Sequence, residues 1–248
     1  MPATATTIDP EEVEKFAKIA EEWWDPFGKF KPLHKFNPIR LGFIRDQICT
    51  HFDRDRLEKL PLKGLRLLDI GCGGGLVSEP MTRLGANVTG IDAAERNVKT
   101  ALTHATQHKL EIDYRATTIE DLVASGEAPF DIVLNLEVVE HVADINLFLA
   151  KSAEMVRPGG LMMMATLNRT LKSLLTAKIG AEYILRWLPA GTHDFQKFVK
   201  PAEATTALEA AGLIVRPPIG MTYQPLLDSW RINDDPAVNY MLVAEKPA

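Results

Sequence analysis

Three side chains able to move protons or bind metals stand close together in the chain: Glu137, Glu140 and His141. If a helical turn begins here, these i, i+3 and i+4 positions share one face. Three chemistries fit that face. His141 is of the residue type that most often serves as a general base, with the acids beside it. The same trio suits a divalent metal: two carboxylates satisfy Mg²⁺ only in part, whereas Mn²⁺ or Zn²⁺ accept the imidazole more readily. The third reading is structural, with acids complementing a helix N-terminus and the histidine packed beside them.

Upstream lies a ligand-binding signature of another kind. The apolar run Leu67-Leu68-Asp69-Ile70 leads into Gly71-Cys72-Gly73-Gly74-Gly75, and Leu76-Val77-Ser78-Glu79 opens a helical pattern. Strand, glycine turn and helix N-terminus in that order are how open α/β sheets present a nucleotide site. The spacing is G-x-G-x-G. A dinucleotide fingerprint would need a further glycine where Leu76 stands, which disfavours an NAD-dependent oxidoreductase. Asp69, just ahead of the turn, suits a ligand with positive charge better than a polyanion. Asp92 lies 21 residues after Gly71 at the end of the next apolar run. A carboxylate there can accept both hydroxyls of a ribose, a device that several nucleotide cofactors share.

The elements that must hold these residues alternate along the chain. Apolar runs at 65–70, 87–91, 112–116, 130–136 and 161–166 read as strands, with helices at 78–84, 95–107 and 144–156 between them. Repeated βα units of this kind predict an α/β fold with a mostly parallel sheet and helices on both faces. Asp9-Pro10-Glu11-Glu12 is a strong helix start, whose pattern runs on to Trp23 before Asp25-Pro26-Phe27-Gly28 stops it. A second early helix starts at Arg40. The aromatic and basic stretch 24–38 is either an arm packed on the main domain or a lid over substrate. Residues 168–200 form an insertion after the fifth strand. Its Leu171, Leu174, Leu175, Ile179, Tyr183, Leu185, Trp187 and Leu188 recur near helical spacing, with Lys172, Lys178 and Arg186 among them. That pattern fits a helical hairpin on the core or a basic amphipathic surface for a bilayer or an isoprenoid chain. His193-Asp194 is a second acid–base candidate by residue type, with an ordinary loop hydrogen bond as the favoured reading.

At 248 residues with 46% hydrophobic content, one globular domain with additions is expected. A net charge of −5 gives no basic field for nucleic acid. Two cysteines with no metal or disulfide spacing fit a reducing, cytoplasmic setting. Neither a signal peptide pattern nor a membrane-spanning apolar run is visible.

The glycine turn resembles the first motif, hhDxGxGxG, of class I S-adenosylmethionine-dependent methyltransferases. More narrowly, the chain resembles the O-methyltransferases of ubiquinone biosynthesis. That match rests on Asn37-Pro38-Ile39-Arg40-Leu41, on 68–75, on Glu137-Val138-Val139-Glu140-His141 and on Thr166-Leu167-Asn168-Arg169. It also rests on Gly180-Ala181-Glu182-Tyr183-Ile184-Leu185, Gly191-Thr192-His193-Asp194, Lys200-Pro201 and Asn239-Tyr240-Met241. The resemblance implies a Rossmann-like seven-stranded sheet, with 213–216 and 240–245 as an antiparallel pair at its edge. It divides the single domain into an N-terminal helical arm (1–60), a cofactor core (61–167), the helical insertion (168–200) and a C-terminal helix with edge strands (201–248).

It further implies S-adenosylmethionine as cofactor, with Arg40 on the cofactor's carboxylate and Asp69, Gly71, Gly73 and Asp92 around it. Ile119 would lie at the adenine and Leu136 in the pocket wall. Thr118 replaces the aspartate that many relatives carry. The expected acceptor is a polyprenyl catechol, delivered at an acidic membrane surface and shared with other proteins of ubiquinone biosynthesis. A phenol of pKa about 10 is only about one-thousandth ionised at neutral pH, a deficit of about 4 kcal/mol. Glu137, Glu140 and His141, as base or as ligands of Mg²⁺, Mn²⁺ or Zn²⁺, would supply it. Another small-molecule methyl acceptor, or a catalytically silent cofactor-binding partner, are the competing readings.

Overall fold

The computed structural model of the chain describes residues 6–174, 195–224 and 227–248. Helix α1 (Pro10–Ala17) starts where the sequence places it, with the Asp9 carboxylate accepting from the Glu11 and Glu12 amides at 3.1 and 3.5 Å. It ends earlier than the apolar spacing suggests. One 3₁₀ turn, Ala20–Glu22, carries the chain on to the two tryptophans. Helix α2 (Lys31–His51) begins nine residues before Arg40 and runs through Pro38. An interior proline costs roughly 3 kcal/mol. Burying Phe36, Phe43, Ile44 and Ile48 on one face gains about 1.5–3 kcal/mol each, so tertiary burial overrides the stop signal.

The core follows as β1 (Arg66–Ile70), α3 (Ser78–Arg83), β2 (Asn87–Asp92), α4 (Glu95–Gln107), β3 (Asp113–Ala116), α5 (Ile119–Ala124), β4 (Phe130–Leu136), α6 (Ile145–Glu154) and β5 (Val156–Leu167). After a short helix, α7 (Leu171–Ser173), come α8 (Pro201–Ala210), β6 (Ile214–Val215), β7 (Ile219–Gln224), β8 (Ser229–Asn233) and β9 (Asn239–Glu245). The ladder order is β3-β2-β1-β4-β5-β9-β7-β8, with β6 paired to β9. β1 to β5 are parallel, and β9 runs antiparallel to β5, β6 and β7. The Rossmann-like, mostly parallel sheet is therefore present with nine strands where seven are expected. The additional pair is the β7–β8 hairpin. Its outer strand, Ser-Trp-Arg-Ile-Asn, is half-exposed at the sheet edge and lacks the apolar alternation that marks an inner strand.

Inner strands show why helices cover both faces. Along β5, Met162 and Met164 point into the layer with α6 and α8, while Leu161, Met163 and Ala165 point into the layer with α2 and α3. β9 alternates likewise, with Tyr240, Leu242 and Ala244 on the first side and Met241 and Val243 on the second. The strand order reverses between β1 and β4, which places a crevice beyond their carboxyl ends. Gly71, Asp92 and Glu137 follow or end the strands that border it.

Over that crevice lies the N-terminal arm. Trp23 stacks on Phe30 with ring centres 3.7 Å apart, and its indole N–H donates to Asn97 Oδ1 at 2.9 Å. Trp24 donates to the Gly74 carbonyl at 2.8 Å and stacks on His104 at 3.5 Å. The aromatic stretch is thus an arm packed on the glycine loop. A Cβ on Gly74 would fall 2.3 Å from Trp23 Cβ. Gly74→Ala should therefore lift the arm, costing about 1–3 kcal/mol of stability and speeding proteolysis within residues 10–30. Gly42→Ala, with open space at its Cβ, should be neutral or stabilising by about 0.5–1 kcal/mol. Equal protease resistance in both variants would contradict arm packing as the constraint on the loop.

Candidate active site

The glycine loop is shaped first by its backbone. Gly71 and Cys72 both donate to the Ile91 carbonyl, at 2.8 and 2.9 Å, so the end of β1 is pinned to β2. Gly71 has φ +69°, and a Cβ there would meet Val138 at 2.4 Å. Below the loop, Asp69 is buried and accepts the Ser78 hydroxyl at 2.6 Å, tying β1 to the first residue of α3. Burial pushes its pKa up to about 6, against the opposing pull of the Ser78 hydrogen bond and of Arg40.

Asp92 is the junction of the site. Its Oδ2 accepts from the Gly73 amide at 3.0 Å, and its Oδ1 from the Ala94 amide at 2.8 Å and Asn97 Nδ2 at 3.2 Å. Asn97 in turn holds Trp23, so one carboxylate joins the loop, α4 and the arm. Burial raises its pKa although all three donors act the other way. Ile119 stands at the start of α5, whose N-cap is Thr118: its hydroxyl accepts from the Asp121 amide at 3.1 Å. Thr118 thus has a capping task independent of any ligand.

A cavity opens between these groups and the arm. Its wall includes Thr7, Asp9, Glu12, Phe16 and Trp23 from the arm, with Gly71, Asp92, Asn97, Ile119, Glu137, His141 and Phe148 opposite. Four carboxylates and one imidazole line it, and no lysine or arginine does among the described residues. Such a wall favours a cationic ligand and opposes a polyphosphate. The arm segment is clamped at both ends. Thr7 donates its amide to Glu120 Oε1 at 2.6 Å and accepts from the Ala143 amide at 2.9 Å. Lys197 Nζ donates to Asp9 Oδ2 at 2.9 Å and to Glu12 Oε1 at 3.3 Å.

Of the residues expected at the site, Gly71, Asp92, Ile119, Glu137 and His141 line this cavity, whereas Arg40, Asp69, Gly73, Leu136 and Glu140 do not. Asp69 and Gly73 act through the loop geometry just described. Leu136 points to the opposite face of the sheet, into the layer with α2. Arg40 is fully buried and committed to protein partners: Nη1 donates to Glu137 Oε1 at 3.2 Å and Nη2 to Asn37 Oδ1 at 2.5 Å. Its Nε has no partner among the described residues. Burial lowers its pKa against the pull of Glu137, Asp69 and Glu140.

The Glu137/Glu140/His141 trio is not the convergent face that helical spacing predicts. Glu137 has φ +58°, outside the helical region, and only Val139–His141 form a single 3₁₀ turn. Side chains therefore diverge. Glu137 turns to Arg40, Glu140 is buried and accepts the Thr166 hydroxyl at 2.7 Å, and His141 Nδ1 meets Glu12 Oε2 at 2.8 Å. Burial, and then the Glu140 charge, raise the Glu137 pKa. The donor set does not fit one Mg²⁺, Mn²⁺ or Zn²⁺ ion, because its ligand atoms do not gather around a common point. Among the described residues the trio that does gather is Glu79, His104 and His108. There the two imidazoles lie 4.1 Å apart and only 30° from parallel, so their in-plane lone pairs do not aim at one ion.

Most of the expected helical insertion, with Lys178, Arg186 and the His193-Asp194 pair, lies outside the described residues. Lys172, at its start, forms an ion pair with Asp235. Among the described residues no helix is long and apolar enough to cross a membrane.

Comparison with known proteins shows the family. Residues 68–164 match the methyltransferase domain family. Over 242 residues the chain is 61% identical to the ubiquinone biosynthesis O-methyltransferase of Maricaulis maris, covering 98% of this chain and 94% of that protein. The protein of that name from Brucella anthropi is 58% identical, covering 98% of each. The chain belongs to the ubiquinone biosynthesis O-methyltransferase family. It is an S-adenosylmethionine-dependent O-methyltransferase. A magnesium protoporphyrin IX methyltransferase from Synechocystis, solved with S-adenosylmethionine bound, shares the fold at TM-score 0.64 and 16% identity, covering 98% of this chain and 100% of that one.

Glu12, Phe16, Trp23, Asn97 and Lys197 carry no motif that marks them as part of an O-methyltransferase site. Their contacts join segments far apart in sequence, such as the 129 positions between Glu12 and His141. A prediction follows from Asp69. Its folded pKa of about 6 lies above the ordinary carboxylate value of 3.8, so stability falls as pH rises from about 4 to about 6 and stays reduced above that. The loss is on the order of 2–3 kcal/mol. Asp69→Asn, which keeps an acceptor for Ser78, should flatten this slope in a pH series of denaturant melts. An unchanged slope would refute Asp69 as the titrating group.

Proposed function

We propose that the enzyme methylates a phenolic hydroxyl of a polyprenyl catechol, with S-adenosylmethionine in the cavity between the arm and the carboxyl ends of β1, β2 and β4. The observation that carries this reading is the cavity wall: carboxylates, one imidazole and, among the described residues, no lysine or arginine, at the point where the strand order reverses. That wall suits a sulfonium nucleoside, and the names of the close relatives support the acceptor class. When bound, S-adenosylmethionine supplies an electrophilic methyl on a cationic sulfur.

The chain has three tasks. Asp92 holds the ribose; three of its roughly four lone-pair sites are already filled, so gripping both hydroxyls requires one donor, such as Gly73 or Asn97, to give way. Gly71 gives close backbone approach, and Ile119 supplies apolar contact for the adenine. His141 accepts the phenol proton as the oxygen–carbon bond forms and the carbon–sulfur bond breaks, leaving a methyl ether, S-adenosylhomocysteine and an imidazolium. Glu137, at the wall beside it, stabilises that cation. Alignment and exclusion of water by the seated arm do the rest. Docking on acidic lipids and contact with other enzymes of ubiquinone biosynthesis belong to the same proposal, since the tail of such an acceptor lies in a bilayer.

Methyl transfer from labelled S-adenosylmethionine to a short-tailed polyprenyl catechol tests it. Turnover is expected, with His141→Gln lowering kcat by about 10²–10⁴-fold while cofactor affinity stays within threefold. Tight cofactor binding without transfer to the catechol would remove the acceptor assignment.

A further inference from the structure

His141 is held almost entirely from the arm. Glu12 Oε2 lies 2.8 Å from its Nδ1, and Phe16, one turn further along α1, meets the imidazole edge-to-face with ring centres 5.0 Å apart. Glu12 is itself fixed: Lys197 reaches its Oε1 at 3.3 Å, Lys15 lies 3.7 Å from Oε2, and its own amide donates to the Asp9 cap. The side chains of His141 and Glu12 are only 16% and 17% exposed, so the pair sits where water screens it weakly. The Glu12 carboxylate is held down at about 2, chiefly by this hydrogen bond to His141.

We propose that Glu12 is a positioning residue for catalysis: its carboxylate accepts the Nδ1 proton of His141, leaves Nε2 as the free acceptor, and so completes the base only when the arm is seated. The inference rests on His141 being the base. Chemically the arrangement is a carboxylate–imidazole dyad. An ionised carboxylate fixes the tautomer with the proton on Nδ1, orients the ring and stabilises the imidazolium formed when Nε2 takes the phenol proton. What is particular to this chain is that the two halves come from different parts of the fold. The base stands on the core after β4 and its orienting acid on the arm that covers the cavity. Proton acceptance is thereby tied to closure, and an open cavity holds a histidine whose ring and tautomer are unfixed. Lys197, near the end of the 168–200 segment, extends the same tie to the chain that follows β5, since one ammonium bridges Asp9 and Glu12.

The test uses the full-length enzyme with S-adenosylmethionine and a short-tailed polyprenyl catechol, both saturating. Glu12→Gln preserves shape and a hydrogen bond but not the charge. It should lower kcat by about 10–10³-fold with cofactor Kd and acceptor KM within about threefold of wild type. Glu12→Asp should recover part of the loss. Adding Glu12→Gln to His141→Gln should cost nothing further, because a base that is absent cannot be oriented. In protein labelled with ¹⁵N-histidine, the His141 signals should show the Nδ1-protonated tautomer in wild type and a mixture in Glu12→Ala. Glu12→Gln with normal kcat beside an inactive His141→Gln would overturn this inference alone. So would a variant that merely raises the cofactor Kd, which is what an arm clamp without catalytic coupling would do. An active His141→Gln would remove the base assignment under the proposed function, and this inference with it.

Discussion

The contact on which the rest of the site depends is the seating of two tryptophans on a glycine loop. Trp23 lies against Gly73 and Gly74 at a distance that no Cβ would permit, and Trp24 caps the Gly74 carbonyl. Once those rings are placed, Asn97 is fixed by the Trp23 indole and Asp92 by Asn97. α1 is then carried across the cavity mouth. The loop is usually described through what it offers a ligand, but here it has a second face. Glycine is needed on the arm side as strictly as on the ligand side, and the same residues serve both.

Across the cavity, the short segment after β4 obeys a different constraint. Two carboxylates and an imidazole within five residues would repel or pair with one another if they converged. The positive φ of Glu137 prevents that, at a cost of about 1–2 kcal/mol. Each group then finds its own counterpart: a guanidinium for Glu137, a hydroxyl for Glu140, and for His141 a carboxylate from the far end of the chain. A strained backbone at the first of the two acids is thus a means of distributing charge. It explains why a metal, for which convergence is the whole requirement, does not match this donor set.

Much of the scaffold is legible from sequence because period and punctuation are local. Asp9-Pro10 starts a helix at the expected place, the glycine turn closes β1, and β4 spans 130–136 as the apolar run predicts. The helix expected from Arg40 starts nine residues earlier, at Lys31, because the burial of Phe36 and Phe43 on either side outweighs the proline at 38. The β7–β8 hairpin escapes notice because an exposed edge strand needs no alternation. In the site, residues fixed by backbone geometry, such as Gly71 and Asp92, are found by spacing. Residues that reach it by packing are not: Glu12 reads as an ordinary first-turn acid of α1, which it also is.

Arg40 shows most clearly how partners, and not residue type, set a role. A guanidinium near a nucleotide site invites an anionic ligand, and free of partners it would offer a bidentate fork. In this fold the fork is occupied. At 3.2 Å and an effective dielectric of about 20, its attraction to Glu137 is about 5 kcal/mol before desolvation is counted. Asp69 and Glu140 add to the same field. Removing Arg40 would therefore leave three buried or half-buried acids without their common counter-ion, a far larger disturbance than the loss of one ligand contact. The cation makes this acidic corner of the sheet tolerable. The cavity beside it keeps a negative wall, because Asp9, Glu12 and Asp92 line it without a hydrogen bond from Arg40, which reaches only Glu137 there.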